Sequence, residues 1–146
     1  YPGGRENFVL AMNKLVQSLE LKNTHFTNPA GFDEYLHFST AEDLARLASF
    51  AVQNKVLSEI VATPKTEVAS EDGKTVHKLT NINELVGKVP GVLGVKTGWT
   101  INAGESLVTL VDRDGHKIII SLLGSADRFG ETEKLIDWIF SNYSWE

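Results

Sequence analysis

The 146-residue sequence predicts an α/β (α+β) unit in which helices come first, an antiparallel sheet follows, and a last helix covers that sheet. Three observations carry this expectation. Apolar residues recur at helical spacing through the first third of the chain. They change to strand-like runs after Pro64, and they return to helical spacing after Arg128.

Over Glu6 to Leu19, the residues Phe8, Met12, Leu15, Val16 and Leu19 fall on one helical face. A polar loop follows, "KNTHFTNPAGFDEYLHF", punctuated by Asn28-Pro29 and Gly31. Ser39 stands three residues before Glu42, the spacing of a capping box, and announces a helix with Ala41, Leu44, Ala45, Leu47, Ala48, Ala51 and Val52. A short helix over Lys55 to Val61 ends before Pro64. Thr66 to Val68 and Thr75 to Thr80 flank Glu71-Asp72-Gly73-Lys74, which reads as a hairpin.

Val92 to Gly98 is an apolar strand. Ser106 to Val111 and Lys117 to Leu123 are two more, joined by "DRDGH", where Asp114-Gly115 suits a tight turn with positive φ. Ile118-Ile119-Ile120 with Leu122-Leu123 is too continuously apolar for a one-sided strand, and predicts a central strand covered on both faces. Arg128 to Tyr143 is an amphipathic helix whose Leu135, Ile136, Trp138, Ile139 and Phe140 should lie on that sheet. No repeat or linker interrupts the chain, so residues 1–146 are expected to form a single unit.

Hydrophobic residues make up 42% of the chain. A domain of this size buries roughly 68–70% of its unfolded surface, enough for a real core. The formal net charge is -5, and the ten Lys and four Arg are scattered. Without a basic stripe to displace phosphate counterions, no nucleic-acid partner is expected. The absence of cysteine excludes disulfides, thiolate nucleophiles and Cys-ligated zinc. His25, His37, His77 and His116 are well separated and form no His-Glu-x-x-His, so neither a metal nor a cofactor is expected. No apolar run approaches the roughly 18 residues of a membrane span. The chain opens on Tyr1-Pro2-Gly3-Gly4, loop chemistry running into a helix, as a cut inside a larger domain would.

The stretch Gly91 to Val108, "GVLGVKTGWTINAGESLV", ends an apolar strand in Lys96-Thr97-Gly98. Lys-Thr-Gly is one of three motifs, with Ser-x-x-Lys and Ser-Asp-Asn, that mark penicillin-binding proteins and class A β-lactamases. Its context here resembles the low-molecular-mass penicillin-binding proteins, the serine-type D-alanyl-D-alanine carboxypeptidases of the S11 type. The likeness extends to "FVLAMNKLVQSLELKNTHFTNPAGFDEYLHFSTAEDLARLA" upstream and to "LTNINELV" between the two. It implies a β-lactamase/penicillin-binding-protein-like transpeptidase fold. It also implies a parent that trims the terminal D-alanine from peptidoglycan pentapeptide through an acyl-serine, and that binds penicillin.

The residues fit that chemistry. Gly98 has no side chain, so an extended peptide can lie along the strand. Lys96 offers a compact positive charge, and Thr97 and Thr100 offer hydroxyls to a terminal carboxylate. The backbone N–H of Trp99 can donate to an oxyanion; its side chain reads as a core or rim aromatic. Adjacent strand residues face opposite ways, so Lys96 and Thr97 serve one cleft only if it wraps the strand's exposed edge. Arg128 lies where the family often places a basic residue near the substrate carboxylate, although helix start is the preferred reading. His25 and His37 read as structural, Asn28 and Gly31 as turn-setting, and His77 and His116 as surface strand residues. Asp112 and Asp114 read as a turn, and Glu131, Glu133 and Lys134 as a polar helix face.

None of the ten serines is followed by Lys at the third position or by Asn at the second, and none of Tyr1, Tyr35 and Tyr143 begins a Tyr-x-Asn. The family's nucleophile half precedes the Phe8 region, so these residues are expected to be the C-terminal portion of a catalytic domain, inactive alone. A β-lactamase or DD-endopeptidase on the same scaffold, or a non-catalytic module binding peptidoglycan stems or a partner chain, are the alternatives. Two further expectations follow from the resemblance. The parent is exported and membrane-associated, and a chain lacking the family's N-terminal strands exposes surface that invites self-association.

Overall fold

The computed structural model describes residues 1–145. Helix α1 (Gly4–Ser18) leads into the 22–38 loop, then come α2 (Ala41–Ala51) and α3 (Lys55–Ala62). A hairpin of β1 (Lys65–Ala69) and β2 (Val76–Thr80) follows. The antiparallel sheet of β3 (Val92–Thr100), β4 (Gly104–Arg113) and β5 (His116–Ser125) comes next, and α4 (Arg128–Asn142) ends the fold. The order is the one expected from the changing apolar period.

The sheet runs β3-β4-β5, so β4 is its central strand and β5 has only one strand neighbour. This corrects the expectation that Lys117 to Leu123 is central. The residues do lie between two layers: α2 and α4 both contact β5. Continuous apolarity reports cover on both faces, which helices supply without a strand on each side. On one face Val92, Leu107, Val111 and Ile120 are buried against Ile136 of α4, together with Leu85 and Val86, whereas Trp138, expected on the sheet, is exposed and packs edge-on against Tyr143. On the other, Leu44, Leu47, Ala48 and Ala51 of α2 stand over Val108 and Leu123, leaving an apolar groove of 310 Å³.

Local chemistry sets the joints. The cap of α2 lies one residue later than its spacing suggested: Thr40 Oγ1 accepts from the Asp43 amide at 3.2 Å. The Ser39 hydroxyl is engaged instead with Thr24 Oγ1 at 2.8 Å. Asp43, 4% exposed, also accepts from Thr24 Oγ1 and the Asn23 amide, tying α2 to the loop. The β4–β5 turn has φ 55° at Asp114 and 83° at Gly115, the geometry expected of Asp-Gly. Asn81 donates to the Val61 and Thr63 carbonyls at 3.0 and 3.1 Å, and the buried Asn83 accepts the Leu85 amide at 3.1 Å. The "LTNINELV" stretch therefore feeds Leu85 and Val86 into the core. Strand β3 bulges between Val92 and Val95, where Gly94 (φ 112°) runs so close to α3 that a Cβ would lie 2.9 Å from Val61 Cγ2.

Candidate active site

Strand β3 pairs only with β4, so its other edge carries no strand partner among the described residues. Lys96 and Gly98 stand opposite Val108 and Ser106, whereas Thr97 and Trp99 stand opposite Leu107 and Glu105. Alternation therefore sends Lys96 to the α2 side of the sheet and Thr97 to the α4 side. A cleft of 630 Å³ wraps that open edge and takes lining from both. Lys96, Thr97, Gly98, Trp99, Thr100 and Arg128 all border it. All six candidate residues come together at one place.

The polar groups there have distinct commitments. The Lys96 ammonium donates to the Thr97 carbonyl. Among the described residues it forms no ion pair with a carboxylate, which leaves its charge available to the cleft. Trp99 is 64% exposed, so of the core and rim positions its side chain takes the rim. Arg128 is indeed the first residue of α4, and its guanidinium also reaches the strand: Nη1 donates to the Gly98 carbonyl at 2.8 Å. The guanidinium carbon lies 4.8 Å from the Phe129 ring centroid, and Nε is buried without a partner. Nε is therefore shielded, and an anion in the cleft would meet this always-charged group through its terminal nitrogens. Among the described residues no group of three His, Asp or Glu side chains is placed to hold a metal ion.

The far wall is the Thr27–His37 loop, and Asn28 organises it. Its Oδ1 accepts from the amides of Ala30, Gly31 and Phe32 at 3.1, 2.8 and 3.0 Å. Its Nδ2 donates to the Phe32 carbonyl and to Glu34 Oε2, both at 3.0 Å. Thr27 Oγ1 also donates to Glu34 at 2.7 Å, and these bonds hold the Glu34 carboxyl below its ordinary value. The two histidines are structural: His25 Nδ1 meets the Leu36 carbonyl at 2.8 Å, and His37 Nδ1 accepts the Thr27 amide at 3.1 Å.

Three contributors were not singled out from the sequence. Asn13 of α1 donates from Nδ2 to the Phe26 carbonyl at 2.7 Å and accepts the Phe26 amide at Oδ1 at 2.9 Å, and so anchors the loop. Glu105 Oε2 accepts the Arg128 amide at 3.0 Å, which with the Asp127 cap fixes where α4 begins. Asp33 accepts the Thr100 hydroxyl proton at 2.6 Å and the Asn102 amide at 3.3 Å. The Met12-Asn13 pair within the resembling block was the one available signal. The partners of Glu105 and Asp33 lie 23 to 69 residues away, and nothing local marks them.

The peptidase S11 family, D-alanyl-D-alanine carboxypeptidase, matches residues 1–127. The chain is 33% identical over 144 residues to D-alanyl-D-alanine carboxypeptidase DacF of Bacillus subtilis, covering 97% of this chain and 37% of that protein. It is also 33% identical over 143 residues to a D-alanyl-D-alanine endopeptidase of Pseudomonas aeruginosa, covering 95% and 46%. Among solved structures, the Streptomyces K15 DD-transpeptidase superposes with a TM-score of 0.86 at 28% identity, over 93% of this chain and 55% of that one. A D-alanyl-D-alanine carboxypeptidase from Mycobacterium tuberculosis H37Rv gives a TM-score of 0.85 at 30% identity, over 97% and 56%. The chain thus spans less than half of either curated relative named here and little more than half of these solved ones. On sequence and fold alike, it belongs to the D-alanyl-D-alanine carboxypeptidase family, peptidase S11.

Proposed function

We propose that this chain forms the substrate-holding wall of a serine D-Ala-D-Ala carboxypeptidase, and that polypeptide outside these 146 residues brings the nucleophile. The observation that carries this reading is the open edge of β3, with Lys-Thr-Gly on it and Arg128 beside it, inside one cleft. A stem peptide ending in D-Ala-D-Ala would lie extended along that edge, with its terminal carboxylate toward Thr97 and Arg128. The serine oxygen would attack the carbonyl of the penultimate D-alanine, and the Trp99 amide would meet the developing oxyanion. The C–N bond to the last D-alanine breaks, its amine takes up a proton, and water then releases the acyl group from the serine. Lys96 would hold positive charge beside these steps. Because the substrate is cell-wall peptide, the whole protein would act outside the cytoplasmic membrane.

A β-lactam would enter as a mimic of the same peptide and acylate the same serine. The 146-residue chain alone should therefore show no covalent labelling by a fluorescent penicillin. The protein completed by a serine-bearing segment should label once per molecule and release D-alanine from a pentapeptide. A stable stoichiometric adduct on this chain alone would overturn the division of labour. Endopeptidase relatives favour a second reading, in which the same cleft cuts cross-linked stems. Comparing D-alanine release with cleavage of a cross-linked dimer by the completed protein separates the two.

The apolar groove beneath α2 also lies open. We assign to it the contact with the remainder of the domain or, in this chain alone, self-association.

A further inference from the structure

We propose that Asp33 is a positioning residue of the cleft, acting through Thr100, and that Thr100 anchors the strand instead of gripping the substrate carboxylate. The inference rests on the peptidase reading above and refines who does what within it. Thr100 has a single hydroxyl proton, and it goes to Asp33 Oδ1 at 2.6 Å. Thr100 Oγ1 in turn accepts the Ala103 amide at 3.0 Å, while Asp33 Oδ2 takes the Asn102 amide at 3.3 Å. A carboxylate arriving at Thr100 would find that proton already given away and a second negative charge one bond length beyond it. The Thr97 hydroxyl and the Arg128 guanidinium, which donates to a neutral carbonyl, carry no such conflict.

The bond joins residues 67 apart in the chain. It fastens the end of β3 and the turn into β4 to a loop that is itself wound on Asn28 and anchored to α1 through Asn13. Trp99 is the residue next to this fastening. Catalytic groups must be held to within about 0.5 Å, and a displacement of about 1 Å costs on the order of 10²-fold in rate. Asp33 therefore controls the oxyanion donor without touching the substrate.

The test has two arms. In the catalytically complete protein, Asp33→Ala and Thr100→Val should each lower kcat by about tenfold or more with KM little changed. The double variant should be no worse than the weaker single one, and Thr100→Ser should restore most of the rate. A rise in KM confined to Thr100→Val, with Asp33→Ala silent, would mean that Thr100 binds the carboxylate directly and would overturn the proposal. In the 146-residue chain, Asp33→Ala should speed amide exchange at Asn102 and Ala103 by about tenfold while Val111 and Ile120 stay protected. Unchanged exchange at those two amides also overturns it. Failure of the peptidase reading shows differently, as a wild-type protein that releases no D-alanine, and the exchange arm then decides the anchoring by itself.

Discussion

The guanidinium of Arg128 donates to the carbonyl of Gly98 at 2.8 Å, which joins the first turn of α4 to the last residue of the Lys-Thr-Gly motif. Helix start and contact with the cleft strand are thus compatible: the cap built by Asp127 and Glu105 sets where the side chain departs. Arg128→Ala in the complete protein should raise KM for a D-Ala-D-Ala peptide by about 10- to 100-fold, since a hydrogen bond to a charged group contributes about 1.5–3 kcal/mol. Arg128→Lys should recover little of this, because a point charge cannot hold the Gly98 carbonyl and a carboxylate in one fork. Steady-state kinetics on both variants check the expectation.

Turn chemistry was legible in the sequence because it is local. Asp114-Gly115 and Gly73 declare positive φ within two or three residues, and both turns formed where expected. The capping hydroxyl of α2 was displaced by one position for a tertiary reason. Ser39 and Thr40 can both cap, and only the fold reveals that Thr24 occupies Ser39. Strand order was hidden for the same reason, since apolarity reports burial and not which neighbour provides it. The Lys96 to Thr100 stretch could be read as a motif. Asp33 could not, because its meaning depends on a partner 67 residues on.

Gly94 offers a direct probe of the strand's footing. Its φ of 112° already excludes most side chains, and an added Cβ would lie 2.9 to 3.1 Å from three Val61 atoms. Gly115 shares a positive φ but has open space around it. Gly115→Ala should cost about 1–2 kcal/mol, the ordinary left-handed penalty. Gly94→Ala should cost more, by about 1 kcal/mol or beyond, because α3 must also move away. Urea denaturation of the two variants ranks them, and equal losses would show that the Val61 contact carries nothing.

Asn28 should be the most sensitive residue of the loop. Asn28→Ala removes the acceptor shared by three amides and should destabilise the chain by about 2 kcal/mol. Asn28→Asp keeps that acceptor but replaces the amide that donates to Glu34 with a second carboxylate. The Asp variant should therefore be impaired at neutral pH and recover as the solution is acidified. Denaturation midpoints across pH distinguish the two lesions.

Glu34 carries a pH dependence of its own. The Thr27 hydroxyl first, then the Asn28 amide, lower its carboxyl from an ordinary 4.5, so the folded chain holds this proton less tightly than the unfolded one. The stability it adds is present above the unfolded value and is lost as pH falls through the folded value. Thr27→Val moves the folded value back toward 4.5 and should flatten the loss of stability below about pH 5. Glu34→Gln should remove this component altogether, and a slope identical to wild type in both variants would refute it.

The groove of 310 Å³ between α2 and the sheet presents Leu44, Leu47, Ala51, Val108 and Leu123 beside Lys96, with almost no polar lining. Apolar surface of this kind gains free energy by being covered, at about 25 cal/mol per Å² removed from water. In the 146-residue chain the available cover is a second copy, and light scattering should show mass rising with concentration. Leu47→Lys, whose ammonium can still reach solvent from the groove's edge, should abolish that rise while leaving helix content unchanged by circular dichroism. When the serine-bearing segment is supplied in trans, it should compete with self-association and yield a one-to-one complex. A wild-type chain that stays monomeric at every concentration, and remains so beside that segment, would show that the groove is satisfied by water alone.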